Sequence, residues 1–296
     1  MKKIRCVICG DISKYRVLYK ANYSIKDVDP EIYISRRLPD KVHFRIVECE
    51  KCKMVFSNPI VKDKKILNSY INSAFYPEED IDNLTDVYEY YVNTKIPKGK
   101  RNNILEIGCG NGRLLSRLGK LGFKNIQGLE PSKNAVAASP KNVNRKKIVI
   151  DFFKENQFKS SSFDVVVFFQ VLDHVIDPNK FLTEVYRILK PGGYVLAIIH
   201  DSKSLSARLL GESSPIIDIQ HINLFDKKNI RRIFNLNKFK VNSVFNTFTK
   251  YSVGYWLKIM PLSIIIKNLF KKLDILNKIN VKMYAGNMGI LAIKQK

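Results

Sequence analysis

The stretch Leu105–Leu115, LEIGCGNGRLL, constrains the fold more than any other part of the sequence. The run NILEI (Asn103–Ile107) enters it with the continuous apolar pattern of a short buried strand. The run RLLSRLGK (Arg113–Lys120) leaves it with apolar positions 114, 115 and 118 at helical spacing. Between them Gly108, Gly110 and Gly112 alternate with larger residues. A strand, a glycine turn and a helix in this order bring backbone close to a ligand and begin an α/β chain. The spacing then limits the ligand. A dinucleotide fingerprint wants glycine where Arg113 stands, and a P-loop wants a closing Gly-Lys-Ser/Thr that is missing. Neither polyphosphate reading fits.

Carboxylates follow the turn. A second strand, Asn125–Leu129, ends in Glu130, 18 positions after Gly112, where a carboxylate can accept from both hydroxyls of a ribose. A third strand, 147–150, ends in Asp151, placed to accept from an adenine amino group. Glu106 adds another acid beside the loop. Negative charge around a nucleoside site disfavours polyphosphate and favours a cationic ligand.

Later segments continue the α/β alternation. Val165–Phe169 is a fully apolar run, as in a parallel sheet covered on both faces. Asp177 and Pro178 offer an N-cap and a first-turn proline to a helix over 179–189. Pro191-Gly192-Gly193 ends that helix and starts a fifth strand, 194–199. Strands six and seven are expected at 239–248 and 288–293.

LEIGCGNG, then GLE, FDVVVFFQVLDHV and RILKPGGYVLAII, in that order, resemble the class I S-adenosylmethionine-dependent methyltransferases over about 103–244. The resemblance implies a Rossmann-like α/β fold with a seven-stranded, mostly parallel sheet and an antiparallel last strand. It implies that Glu106, Gly108, Cys109 and Gly110 line the methionyl end of the cofactor and that Glu130 holds the ribose. Asp151 and Phe152 then face the adenine, and Phe169, Gln170 and Val171 close over the cofactor. A sulfonium cation explains why no phosphate-binding lysine is wanted.

Four of the five cysteines pair by spacing, Cys6 with Cys9 and Cys49 with Cys52, with 39 residues between the knuckles. Each CxxC presents two sulfurs to one side, and four thiolates make a closed structural Zn2+ site with no open position for catalysis. Disulfides need an oxidising compartment that nothing here implies. CVICG, CEKCKMVFSNP and the aromatic segment Tyr70, Phe75, Tyr76 resemble a subgroup with a four-cysteine zinc module ahead of the core, which includes sugar and surface-glycan methyltransferases. The run Gln220–Val241 resembles it too. The expected division is a zinc module over 1–70, a linker and helix over 71–101, and a methyltransferase domain over 102–296 with a helical insertion at 252–287.

The chain carries 51 Lys+Arg against 27 Asp+Glu, a net +24. Such a surface attracts nucleic acid, anionic lipid or phosphorylated substrates, or reflects a generally Lys-, Ile- and Asn-rich composition. In the insertion Ile259, Leu262, Ile266, Leu269, Leu273 and Leu276 share a helical face opposite Lys267, Lys271 and Lys278. This face packs on its own domain or a second subunit, or lies on an anionic membrane. No apolar run reaches the roughly 18 residues of a membrane span, and no secretory leader is visible, so the expected location is the cytoplasm, with peripheral contact at the inner membrane face open.

Methyl transfer requires an aligned acceptor and, for a hydroxyl or carbon acid, a proton acceptor. His174, after strand four, His200, at the end of strand five, and His221, after the loop 211–220, fall at the carboxyl edge of the sheet, where ligands bind. His221 and His174 are the candidate catalytic residues, as base or as loop-orienting group, with Asp173 and Asp201 behind them; His43 is structural or superficial. No Asn/Asp-Pro-Pro-aromatic tetrad follows strand four, so exocyclic amino-group methylation of a base is disfavoured. No cysteine is placed for pyrimidine C5 chemistry. The expected acceptor is a small molecule, a sugar or surface-glycan precursor hydroxyl or carbon. Structured RNA is the alternative, favoured by charge and zinc, and a non-catalytic cofactor-binding scaffold is a third.

Overall fold

The computed structural model describes residues 2–23, 42–61, 71, 81–259 and 275–295. Among them run β1 (Tyr15–Tyr19), β2 (Ile46–Cys49), β3 (Val55–Ser57), β4 (Asn103–Ile107), β5 (Asn125–Leu129), β6 (Ile148–Val149), β7 (Phe163–Phe169), β8 (Leu189–His200), β9 (Asn223–Leu224), β10 (Phe239–Ser252) and β11 (Asn280–Lys294). The larger sheet has seven strands in the order β10-β11-β8-β7-β4-β5-β6. β4 pairs in parallel with β5 and β7, β5 with β6 and β7 with β8, while β11 runs antiparallel to both β8 and β10. This is the expected mostly parallel sheet with an antiparallel last strand.

Parallel neighbours need crossovers, and helices supply them on both faces. On one face Val165, Val167 and Phe169 of β7 pack with Leu114 and Leu118 of helix Arg113–Leu118 and with Val87 and Tyr91 of helix Ile81–Lys95. On the other, Val166 and Phe168 meet Phe181, Leu182 and Val185 of helix Pro178–Ile188 and Ile230 and Phe234 of helix Lys227–Leu236. Two covered faces explain why β7 reads as an unbroken apolar run. Both latter helices start on aspartate caps: Asp177 accepts from Lys180 N, and Asp226 from Asn229 N.

Three boundaries differ from the sequence expectation. Strand β8 begins at Leu189, and its pairing with β7 slips between Phe163 and Val165, so Pro191-Gly192-Gly193 lies in an irregularity inside the strand. Strand three shrinks to Ile148–Val149. Strands β10 and β11 are longer than expected, and Asn280–Asn287, read as part of the insertion, pair as strand. The insertion is helical at Val253–Ile259 and Ile275–Lys278; its apolar positions Leu262 to Leu273, with Lys267 and Lys271, lie outside the described residues, as do Tyr70, Phe75 and Tyr76. No helix among the described residues is long and apolar enough to cross a membrane.

The smaller sheet has the order β1-β2-β3-β9. Its first three strands carry or flank the cysteine knuckles, but its fourth comes from beyond residue 220. Val55 pairs with Leu224 and Phe56 with Asn223. The cysteine module is therefore joined to the core by backbone hydrogen bonds as well as by side-chain packing.

Candidate active site

The carboxyl ends of β4, β5, β7 and β8 open onto one cavity of about 860 Å³, lined by Glu106, Gly108, Gly110, Glu130, Phe152, Phe169, His174, His200 and His221 among others. The glycine loop forms one wall. Gly108, Gly110 and Gly112 all have φ between +53° and +76°, a region unfavourable to L side chains. A Cβ on Gly108 would sit 2.6 Å from the Val171 side chain, so this glycine also allows the post-β7 loop to close in. A Cβ on Gly110 would meet nothing within 4 Å among the described residues. It would project into open space, as expected where a ligand approaches backbone.

Glu130 is fastened to that loop: Gly110 N donates to its Oε2 at 2.9 Å and Ser132 N to its Oε1 at 2.9 Å. Burial raises its pKa, and these two N–H groups oppose the rise. Burial, with the charge of Glu130 nearby, pushes Glu106 up to about 8. Glu106 Oε2 is buried and has no hydrogen-bond partner among the described residues. Buried Glu106, with its orphaned oxygen, and partly buried Glu130 fit the ammonium and sulfonium charges and the ribose hydroxyls of S-adenosylmethionine. Phe152 lines the cavity, whereas the Asp151 carboxylate is taken up by Phe152 N and the Lys154 ammonium. Cys109 is buried, its sulfur where a Cβ on Gly128 would fall, so it packs the loop onto β5.

Phe169 is stacked on Tyr88 of the helix Ile81–Lys95, ring centroids 4.4 Å apart. Tyr88 carried no signal in the sequence beyond an apolar-aromatic helical position. Gln170 has φ +53° and donates its N–H to Ile198 O, and its side-chain Oε1 is buried without a partner among the described residues.

The three histidines expected at the sheet edge come together. The His221 ring lies 4.8 Å from that of His174 and 4.6 Å from that of His200, centroid to centroid. His221 Nδ1 is 2.9 Å from Ile216 O, so that nitrogen carries the hydrogen and Nε2 is the bare one. Burial and the neighbouring His200 and His174 lower its pKa to about 3, so its imidazole is neutral. Behind them Asp173 accepts from His200 Nδ1 at 2.6 Å. Burial opposes ionisation of Asp173, but His174, His200 and His221 outweigh it and hold the carboxyl well below its ordinary range. The Asp173–His200 pair has more weight in the site than the sequence suggested; the two residues are 27 positions apart and meet only because β7 and β8 are neighbours. Asp201 caps its own turn, accepting from Lys203 N, and is absent from the cavity wall. His43 is buried, with Nδ1 on Phe44 O and Nε2 on Glu212, a structural arrangement.

The cysteines converge across the knuckles. Cys6 and Cys52 sulfurs are 3.3 Å apart and Cys9 and Cys49 sulfurs 3.5 Å, too far for disulfides and close enough to share one ion. Burial pushes the Cys52 thiol up to about 11 and Cys6 higher still, a cost that a bound dication would relieve.

The comparisons with known proteins agree with this geometry. The family model of a methyltransferase domain matches residues 79–244, more than half of the chain. The ubiquinone biosynthesis O-methyltransferase of Bradyrhizobium diazoefficiens is 31% identical over 113 residues, 36% of this chain and 44% of that protein. Its namesake from Nitrosococcus oceani is 32% identical over 145 residues, 47% of this chain and 59% of that protein. The chain thus spans about half the length of the curated relatives it matches. A chain from the Haloferax volcanii complex between the Trm112 methyltransferase activator and a methyltransferase shares the fold at TM-score 0.51 and 17% identity, covering 73% of this chain and 92% of its own. With the strand order, the glycine loop and the acid pair on the same cavity, the chain belongs to the methyltransferase domain family and has the class I, S-adenosylmethionine-dependent fold.

Proposed function

We propose that the protein methylates a hydroxyl or carbon of a small molecule, a sugar or surface-glycan precursor, using S-adenosylmethionine. The observation that carries this reading is continuity: one cavity runs from the acid pair Glu106 and Glu130 to the histidines 174, 200 and 221. When bound, the cofactor supplies an electrophilic methyl group on a sulfonium. Glu106 and Glu130 hold its cationic and ribose ends, the loop Gly108–Gly110 lets it approach backbone, and Phe169 packs beside it. The histidine end receives and orients the acceptor, and His221, its pKa held at about 3, stays neutral there. The names of the relatives, O-methyltransferases of ubiquinone biosynthesis, support an oxygen acceptor. Cys6, Cys9, Cys49 and Cys52 hold a structural zinc ion in this reading.

The test is incubation of the protein and methyl-labelled cofactor with fractionated extract from a source strain lacking the gene. Label in sugar-nucleotide or lipid-linked sugar fractions is the expected result. Label in an RNase-sensitive fraction would replace the reading with RNA methylation, and cofactor binding without any label would leave a scaffold.

A further inference from the structure

We propose that Asp173, His200 and His221 form a second metal site, for a divalent first-row transition-metal ion, whose remaining position takes the acceptor oxygen. The assignment of that last ligand rests on the function proposed above; the metal site itself does not.

Three elements bring the donors together: the loop after β7 carries Asp173, the end of β8 carries His200, and the segment entering β9 carries His221. One ligating atom from each lies within 4.8 Å of the others. One carboxylate and two imidazoles suit zinc, manganese, iron or cobalt better than calcium or magnesium. The outer contacts have the form that metal-binding histidines need. His221 donates Nδ1–H to Ile216 O, which directs a bare Nε2 elsewhere. The main chain of Asp173 is pinned, its carbonyl accepting from both Ile222 N and Asn223 N.

A second, independent observation points to a missing ligand. Asp173 is 1% exposed, and among the described residues its Oδ1 has no hydrogen-bond partner; neither has His174 Nδ1. A buried carboxylate oxygen without a partner is costly, and a cation satisfies it. His174 Nε2 lies 3.9 Å from that same oxygen. The 2.6 Å contact from His200 Nδ1–H to Asp173 Oδ2 holds two of these groups together through a proton, the role a metal ion would take over.

His200 and His221 line the cavity that Glu106 and Gly108 also line, so an ion here shares the cofactor's cavity. One carboxylate leaves a dication with net positive charge, which favours an anionic oxygen as the further ligand. The hydroxyl of the acceptor would lose its proton to solvent, its oxygen would form the new bond to the methyl carbon, and the carbon–sulfur electron pair would return to sulfur.

The experiment is metal content and cobalt spectroscopy on the full chain, stripped with chelator and reloaded with Co2+. The expected result is one equivalent of cobalt beyond any that gives sulfur-to-cobalt charge-transfer bands, visible through weaker ligand-field bands alone. His200→Ala, His221→Ala and the near-isosteric Asp173→Asn should each lose that equivalent and its bands, while thiolate bands and cofactor binding persist. Retained cofactor binding shows that the variants are folded. Cobalt bound through thiolates alone in the wild type, or a non-thiolate equivalent unchanged in folded variants, overturns the proposal and leaves Asp173–His200 as a proton-transfer pair. Because methyl transfer is not the readout, an incorrect acceptor class would leave this result unaffected.

Discussion

The hydroxyl of Ser57, in the cysteine module, donates to the carbonyl of His221 at 3.2 Å, and Ile222 O accepts from Ser57 N at 2.9 Å. The residue expected to meet the acceptor is thus positioned by the module that precedes it by more than a hundred residues. Removing one module ligand should propagate along this connection. Cys49→Ser is expected to lower kcat at least tenfold while shifting the cofactor Kd less than twofold, because the glycine loop belongs to the other sheet. Ser57→Ala should cost about 1 kcal/mol of stability, one buried hydrogen bond. Steady-state kinetics with isothermal titration and denaturant unfolding check both; equal losses in kcat and cofactor affinity would count against the connection.

Glu106 predicts a pH dependence. Its folded pKa of about 8 exceeds its ordinary 4.5. Between those values the folded, ligand-free protein binds a proton that the unfolded chain has released, so this residue makes stability fall as pH rises through the window. A cationic cofactor favours the carboxylate. Its affinity should therefore rise with pH up to about 8 and then level, by at most about tenfold per unit. Titration calorimetry in buffers of different ionisation enthalpy should show proton release near neutral pH. Glu106→Gln should abolish the release and flatten the profile.

The glycine loop separates two costs. Gly108→Ala adds a methyl 2.6 Å from Val171 at φ +76° and should destabilise the protein by about 1–3 kcal/mol. Adding Val171→Ala should recover part of that loss. Gly110→Ala meets no atom of the described residues within 4 Å, so its main effect should be on cofactor affinity, a weakening of tenfold or more. Thermal unfolding without and with cofactor distinguishes the two; equal behaviour of both variants would contradict the assignment of Gly110 to the ligand face.

His221→Ala should lower turnover by about two orders of magnitude, the usual size of a lost acceptor-orienting group, with cofactor affinity nearly unchanged. Its ring contacts His174 and His200, not the glycine loop. Single-turnover rates with saturating cofactor are the measurement, and a parallel fall in cofactor affinity would assign the residue to holding the fold.

What the sequence determined by itself is local. Arg113 in place of a glycine, the apolar run Val165–Phe169 and the Asp177-Pro178 cap each act over a few residues, so the strand–loop–helix units and the class of cofactor were legible in residue order alone. The CxxC spacing likewise placed two sulfurs per turn. Tertiary structure decided the rest, because it depends on which distant segments pair. The parallel pairing of β7 with β8 sets Asp173 against His200, and β9 on β3 joins the cysteine module to His221. Phe169 found its stacking partner in Tyr88, from a helix that precedes the first core strand. No periodicity encodes such meetings; they follow from the closing of one hydrogen-bonded sheet onto another and from the burial of both faces of the core.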